Sequence, residues 1–65
     1  MASYTARVKE ILRDFGCRFD RNGKGDHEIW FSPINYRKFP VDHDIRSRHT
    51  ANAILKQAGI NLKAF

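Results

Sequence analysis

The chain carries two hydrophobic rhythms. Tyr4, Val8, Ile11, Leu12 and Phe15 fall at i, i+4, i+7, i+8 and i+11, one stripe at the helical period. Arg7, Lys9, Glu10, Arg13 and Asp14 take the remaining positions. The spacing predicts a helix over residues 4–15. Ser3 or Thr5 is placed to cap its start, and Gly16 to end it in a left-handed conformation. Ala51, Ile54, Leu55 and Ala58 repeat the helical spacing near the other end of the chain. Thr50 is the expected N-cap there, and Gly59 and Ile60 the expected stop.

Between the helices the period drops to two. Residues 17–21, 27–32 and 37–41 read as strands. Asn22-Gly23-Lys24-Gly25 and Pro33-Ile34-Asn35-Tyr36 read as the turns joining them. Pro40 places the third strand at an edge, since proline cannot donate to a ladder. Cys17, Phe19, Ile29, Phe31, Phe39 and Val41 form the phase expected to meet the helices. Arg18, Asp20, Glu28, Trp30, Lys38 and Pro40 form the phase expected to face outward. Trp30 then lies among charges, either as an anchor for a partner or tucked against a neighbouring side chain. Residues 42–49 are polar and read as a loop or single turn, and 61–65 as a short tail.

The predicted fold is a two-layer α+β domain of order α-β-β-β-α. It has a three-stranded antiparallel sheet with both helices on one face. Its topology resembles that of the double-stranded RNA-binding domain. A length of 65 residues limits the chain to a single domain, 1–65. A core this small leaves little room for a deep substrate cavity, so any chemistry is expected on a surface. The lone Cys17 forms no internal disulfide, which points to a reducing, cytoplasmic setting. No apolar run reaches the length of a membrane helix, and the first residues lack the pattern of a signal peptide. A net charge of +5 favours a polyanionic partner, nucleic acid or an acidic protein.

His27, His43 and His49 match no zinc spacing, so no metal or other cofactor is expected. His43 and His49 read as solvated side chains. His27 differs in its setting, because it follows the basic, glycine-containing turn. An imidazole gives and takes protons near neutrality. Lys24 and Arg21, with backbone N–H groups left accessible at Gly25, are suited to hold a phosphate beside it. Such a pair is what RNA cleavage needs, because the 2′-OH of RNA serves as its own nucleophile.

Gly23-Lys24-Gly25-Asp26-His27-Glu28-Ile29-Trp30, followed by Thr50-Ala51-Asn52-Ala53-Ile54-Leu55-Lys56-Gln57-Ala58-Gly59-Ile60, resembles the HicA toxin family of mRNA interferases. The resemblance runs from the first helix to Ile60. It implies a fold like the double-stranded RNA-binding domain. It also implies metal-independent cleavage of mRNA by the histidine matching His27, and neutralisation by a HicB antitoxin in a toxin–antitoxin hetero-oligomer. Asp26 stands where the family usually has Ser. A carboxylate there favours the imidazolium and repels phosphate. His49 stands where a Gly usually precedes the Thr. Two other functions fit the same residues: an RNA-binding module that does not cut, and an interaction protein for an acidic partner.

Overall fold

The computed structural model describes residues 3–25, 27–61 and 65. Its two helices stop by the same device. Helix α1 (Thr5–Asp14) ends at Gly16, where φ is 86°. Gly16 N–H donates to the Arg13 carbonyl at 2.9 Å, and Cys17 N–H to the Leu12 carbonyl at 2.8 Å. Helix α2 (Arg48–Gln57) ends at Gly59, with φ 80°. Gly59 N–H donates to Lys56 and Ile60 N–H to Leu55, both at 3.0 Å. This paired closure satisfies carbonyls that a helix end otherwise leaves open.

The helix starts differ from expectation. Tyr4 occupies the N-cap of α1 with no side-chain bond. Thr5 Oγ1 instead accepts the Ile45 N–H at 2.8 Å, and Tyr4 N–H donates to the Ile45 carbonyl at 2.7 Å. The hydroxyl therefore ties the later loop to α1. Helix α2 begins before Thr50, because Ser47 is extended at the N-cap and its Oγ accepts the His49 N–H at 3.1 Å.

Strands β1 (Arg18–Asn22), β2 (His27–Ser32) and β3 (Arg37–Asp42) form one antiparallel sheet in the order β1-β2-β3. The α-β-β-β-α order and the α+β class match the sequence pattern. Pro40 lies on the edge strand β3, as its missing N–H requires.

The face assignment of β2 is reversed. Trp30 lies opposite Phe39, and residues opposite each other in an antiparallel pair share a face. Phe39 and Val41 are buried against the helices, so Trp30 is buried with them, at 2% exposure. Ile29 and Phe31 consequently take the outer face, opposite Pro40 and Lys38. Phe19 lies opposite Trp30 yet stays about half exposed on edge strand β1.

Val8, Ile11 and Leu12 of α1 pack with Trp30, Phe39 and Val41 of the sheet, Ile45, and Ala51, Ile54 and Leu55 of α2. Each large side chain buried this way contributes about 1.5–3 kcal/mol. The buried Ser32 donates to the Ala58 carbonyl at 2.6 Å, and Asn35 Nδ2 donates to the Gln57 carbonyl at 3.0 Å. These bonds fasten the end of β2 and its turn to the end of α2. No helix among the described residues is long and apolar enough to cross a membrane.

Candidate functional site

The β1–β2 hairpin sets the site. Asn22 lies opposite Glu28, and Gly23 N–H donates to the His27 carbonyl at 3.0 Å. The loop beyond therefore closes directly over the first residue of β2. His27 Nδ1 lies 3.3 Å from the Lys24 carbonyl oxygen. On the other side Asp42, the cross-strand partner of His27, brings Oδ1 to 2.9 Å from Nε2. Both ring nitrogens thus face oxygen acceptors, and the two contacts are hydrogen bonds at once only in the ring that carries both protons. His27 keeps about half its side-chain exposure and borders a shallow depression of about 300 Å³, lined also by Asp42, His43 and Asp44.

His43 is also half exposed, but it is not merely solvated. Its Nε2 lies 3.5 Å from Glu28 Oε2. Glu28 also accepts the Trp30 indole N–H at 2.9 Å and an N–H of Lys9 at 3.1 Å. The Trp30 bond first, then Lys9 and His43, hold the Glu28 carboxyl below its usual range, against the opposing effect of burial.

A bulge shapes the basic side of the site. Between Phe19 and Arg21 the register slips by one, so Arg18 lies opposite Phe31 and Arg21 opposite Ile29. Residues three apart on a regular strand point to opposite faces. Here the extra residue, Asp20, puts both arginines on the outer face with His27. Arg18 stacks over the Phe31 ring, 5.4 Å from its centroid. Asp20 Oδ2 accepts from Arg21 at 3.1 Å and lies 3.4 Å from Lys38 Nζ. Lys24 is exposed in the loop, and open space surrounds the Gly25 backbone. His27 and Arg21 therefore share one face, and the loop that carries Lys24 and Gly25 joins their strands at that end.

Trp30 is not on that face. It is buried on the helix side, with Arg13 over its ring at 5.5 Å, so it presents no surface to a partner. The register that pairs it with Phe39 is the reason. The basic residues of α1 are likewise engaged: Arg7 with Glu10, Lys9 with Glu28, and Arg13 with Trp30. Arg46 pairs with Asp44 at 2.6 Å. Asp26 lies outside the described residues, and His49 is exposed in the first turn of α2. Among the described residues no group of three or more His, Cys, Asp or Glu side chains converges on a metal position.

Sequence reasoning missed Asp42, the residue that orients His27. The signal was present in the turn: if 33–36 joins β2 to β3, Ser32 faces Arg37, and counting outward brings His27 opposite Asp42. Against the curated proteins and the solved structures the chain gives no match. A family model described as "HicA toxin of bacterial toxin-antitoxin" matches residues 6–60, which takes in both helices, the whole sheet and the His27 hairpin. The chain belongs to the HicA toxin family.

Proposed function

We propose that this chain is the toxin of a type II toxin–antitoxin system and an endoribonuclease that cleaves mRNA in the cytoplasm with His27 as its catalytic residue. One observation carries the reading. The His27 ring is held between Asp42 at Nε2 and the Lys24 carbonyl at Nδ1, and opens onto a shallow depression beside a basic hairpin. A groove of this depth suits a substrate that supplies its own nucleophile.

In its neutral form the His27 ring takes the proton from the ribose 2′-OH, and the freed oxygen attacks the adjacent phosphorus. The bond from phosphorus to the 5′-oxygen breaks, leaving a 2′,3′-cyclic phosphate on one fragment. The imidazolium returns its proton to the departing 5′-oxygen, which ends as a hydroxyl. Asp42 stabilises the imidazolium between these steps. Lys24, Arg21 and the backbone at Gly25 hold the phosphate and its developing charge. The step needs no cofactor. Family membership supports a partner antitoxin, of the HicB type, forming a hetero-oligomer that covers this surface. The order α-β-β-β-α, shared with the double-stranded RNA-binding domain, supports RNA as the substrate.

The test is cleavage of an RNA in EDTA, with end-group analysis, together with growth of cells expressing each variant. His27→Ala is expected to lower the rate by roughly 10²–10⁴-fold and to abolish toxicity. Asp42→Asn is expected to lower it at least roughly tenfold. Equal cleavage and equal toxicity of His27→Ala and the parent overturn the reading. RNA bound but uncut by the parent makes the chain a binding module.

A further inference from the structure

Tyr36 is hard to account for by folding. It is 81% exposed, the highest value among the large hydrophobic side chains that stand clear of the core. Its φ is 57°, a left-handed conformation that costs any side chain with a Cβ and favours glycine or asparagine. Neither burial nor backbone geometry asks for an aromatic there. Yet its ring lies 6.4 Å from that of Phe31, inclined at 52°. Phe31 is itself only partly covered, with Arg18 stacked over it.

These rings share a face with positive charge. Phe31 lies opposite Arg18 on one side and Lys38 on the other. The bulge at Asp20 adds Arg21, one pair nearer His27. Against these cations the patch holds Asp20, whose two exposed ion pairs exchange readily with phosphate. His27, Ile29 and Phe31 alternate along the same side of β2. The catalytic histidine thus stands about 13 Å along the strand from the aromatic pair. Aromatic side chains interleaved with cations on an open sheet recognise unpaired bases, which stack on the rings while the backbone tracks the charges. A duplex keeps its bases stacked inside and offers those rings nothing.

We propose that the outer face of the sheet is a stacking platform for single-stranded RNA. Tyr36 and Phe31 receive bases, Arg18 and Lys38 flank them, and the strand runs along β2 so that a phosphate a short distance away lies at His27. The inference rests on the ribonuclease reading for the identity of the strand and adds its class: unpaired RNA, held by base stacking at a position away from the cut.

The experiment measures binding of a fluorescently labelled single-stranded RNA, and of a blunt duplex of the same length, to the full chain in a His27→Ala background. Tyr36→Gly relieves the left-handed backbone and removes the ring. Its thermal midpoint is expected to stay level or rise, while affinity for the single strand falls roughly tenfold. Duplex affinity is expected to be weaker than single-strand affinity at the outset and unchanged by the substitution. Arg18→Gln is expected to weaken single-strand binding and reduce its salt dependence. A Tyr36→Gly variant that binds the single strand as tightly as its parent overturns the platform. So does a parent that prefers the duplex, or a Tyr36→Gly variant that loses a purified antitoxin while keeping RNA, which makes the face a protein surface. Each of these leaves His27-dependent cleavage untouched. Loss of single-strand binding in Tyr36→Gly without any His27-dependent cut in the His27-containing chain keeps the platform and removes the nuclease.

Discussion

Glu28 joins three parts of the molecule at one carboxylate: Lys9 of α1, the Trp30 indole of β2, and His43 beyond β3. Its side chain is only 18% exposed, so these partners act in a partly desolvated setting. They hold its carboxyl lower in the folded chain than in the unfolded one. The stability this supplies is present above the unfolded value and is lost as the pH falls through the folded value. Glu28→Gln keeps an acceptor for Trp30 and removes the charge. Urea unfolding should give a variant about 1 kcal/mol less stable at neutral pH, with a flatter decline in acid than the parent. An unchanged acid decline would assign it to other carboxylates. Cys17 behaves in the opposite sense. Burial raises its thiol pKa, with the Ser32 hydroxyl opposing more weakly, and the residue is 3% exposed. It should resist a thiol reagent in the native chain and react as urea unfolds it, so labelling reports unfolding. At this scale the place of His27, at the start of β2 beside the glycine-containing turn, was legible and its partner was not. The ring's neighbours come from cross-strand register, which no single residue announces.

The helices show which elements declare themselves. Their ends could be read because only glycine fits without strain where φ is positive, and Gly16 and Gly59 stand one residue beyond each final turn. Their starts could not, because several hydroxyls competed for the cap and Thr5 spends its own on Ile45. Replacing either glycine by alanine should cost about 1–2 kcal/mol from backbone strain. Gly59→Ala should cost the more of the two. A Cβ there would lie 3.1 Å from Ile34 Cγ2 and 3.3 Å from Asn35 Nδ2, against a single contact of 3.3 Å, with Pro33 Cγ, at Gly16. Thermal melts of the two variants should rank them in that order. The strands were legible in number, order and turns, and β3 in phase, but β2 was not. Ile29 and Phe31 outnumber Trp30 as apolar residues, so a reading of β2 alone gives them to the core. The four-residue turn overrides it by setting Trp30 opposite Phe39. The bulge at Asp20 had no visible mark in the sequence, although it brings Arg18 and Arg21 onto one face.

For the whole molecule the net charge of +5 says less than its distribution. On the helix side, Arg7, Lys9 and Arg13 are taken up by Glu10, Glu28 and the Trp30 ring. On the outer face of the sheet and its hairpin, Arg18, Arg21, Lys24 and Lys38 surround a row of partly exposed apolar side chains running from His27 towards Tyr36. Lys9 on the helix side is thus spent on the partly buried Glu28, while the four cations of the sheet face are gathered around the aromatic pair and the His27 hairpin. The separation is measurable through counterion release. For a single strand the logarithm of the binding constant falls with that of the salt concentration by about 0.7 per phosphate neutralised. If those four side chains each meet one phosphate, the slope is about −3. Substituting Arg18 or Lys38 by glutamine should make the slope shallower by about 0.7. Lys9→Gln removes the same unit of charge from the other side. It should leave the slope unchanged while lowering thermal stability through the loss of Glu28's partner. Equal shallowing by Lys9→Gln and Arg18→Gln would mean that the strand responds to net charge alone and that the sheet face directs nothing.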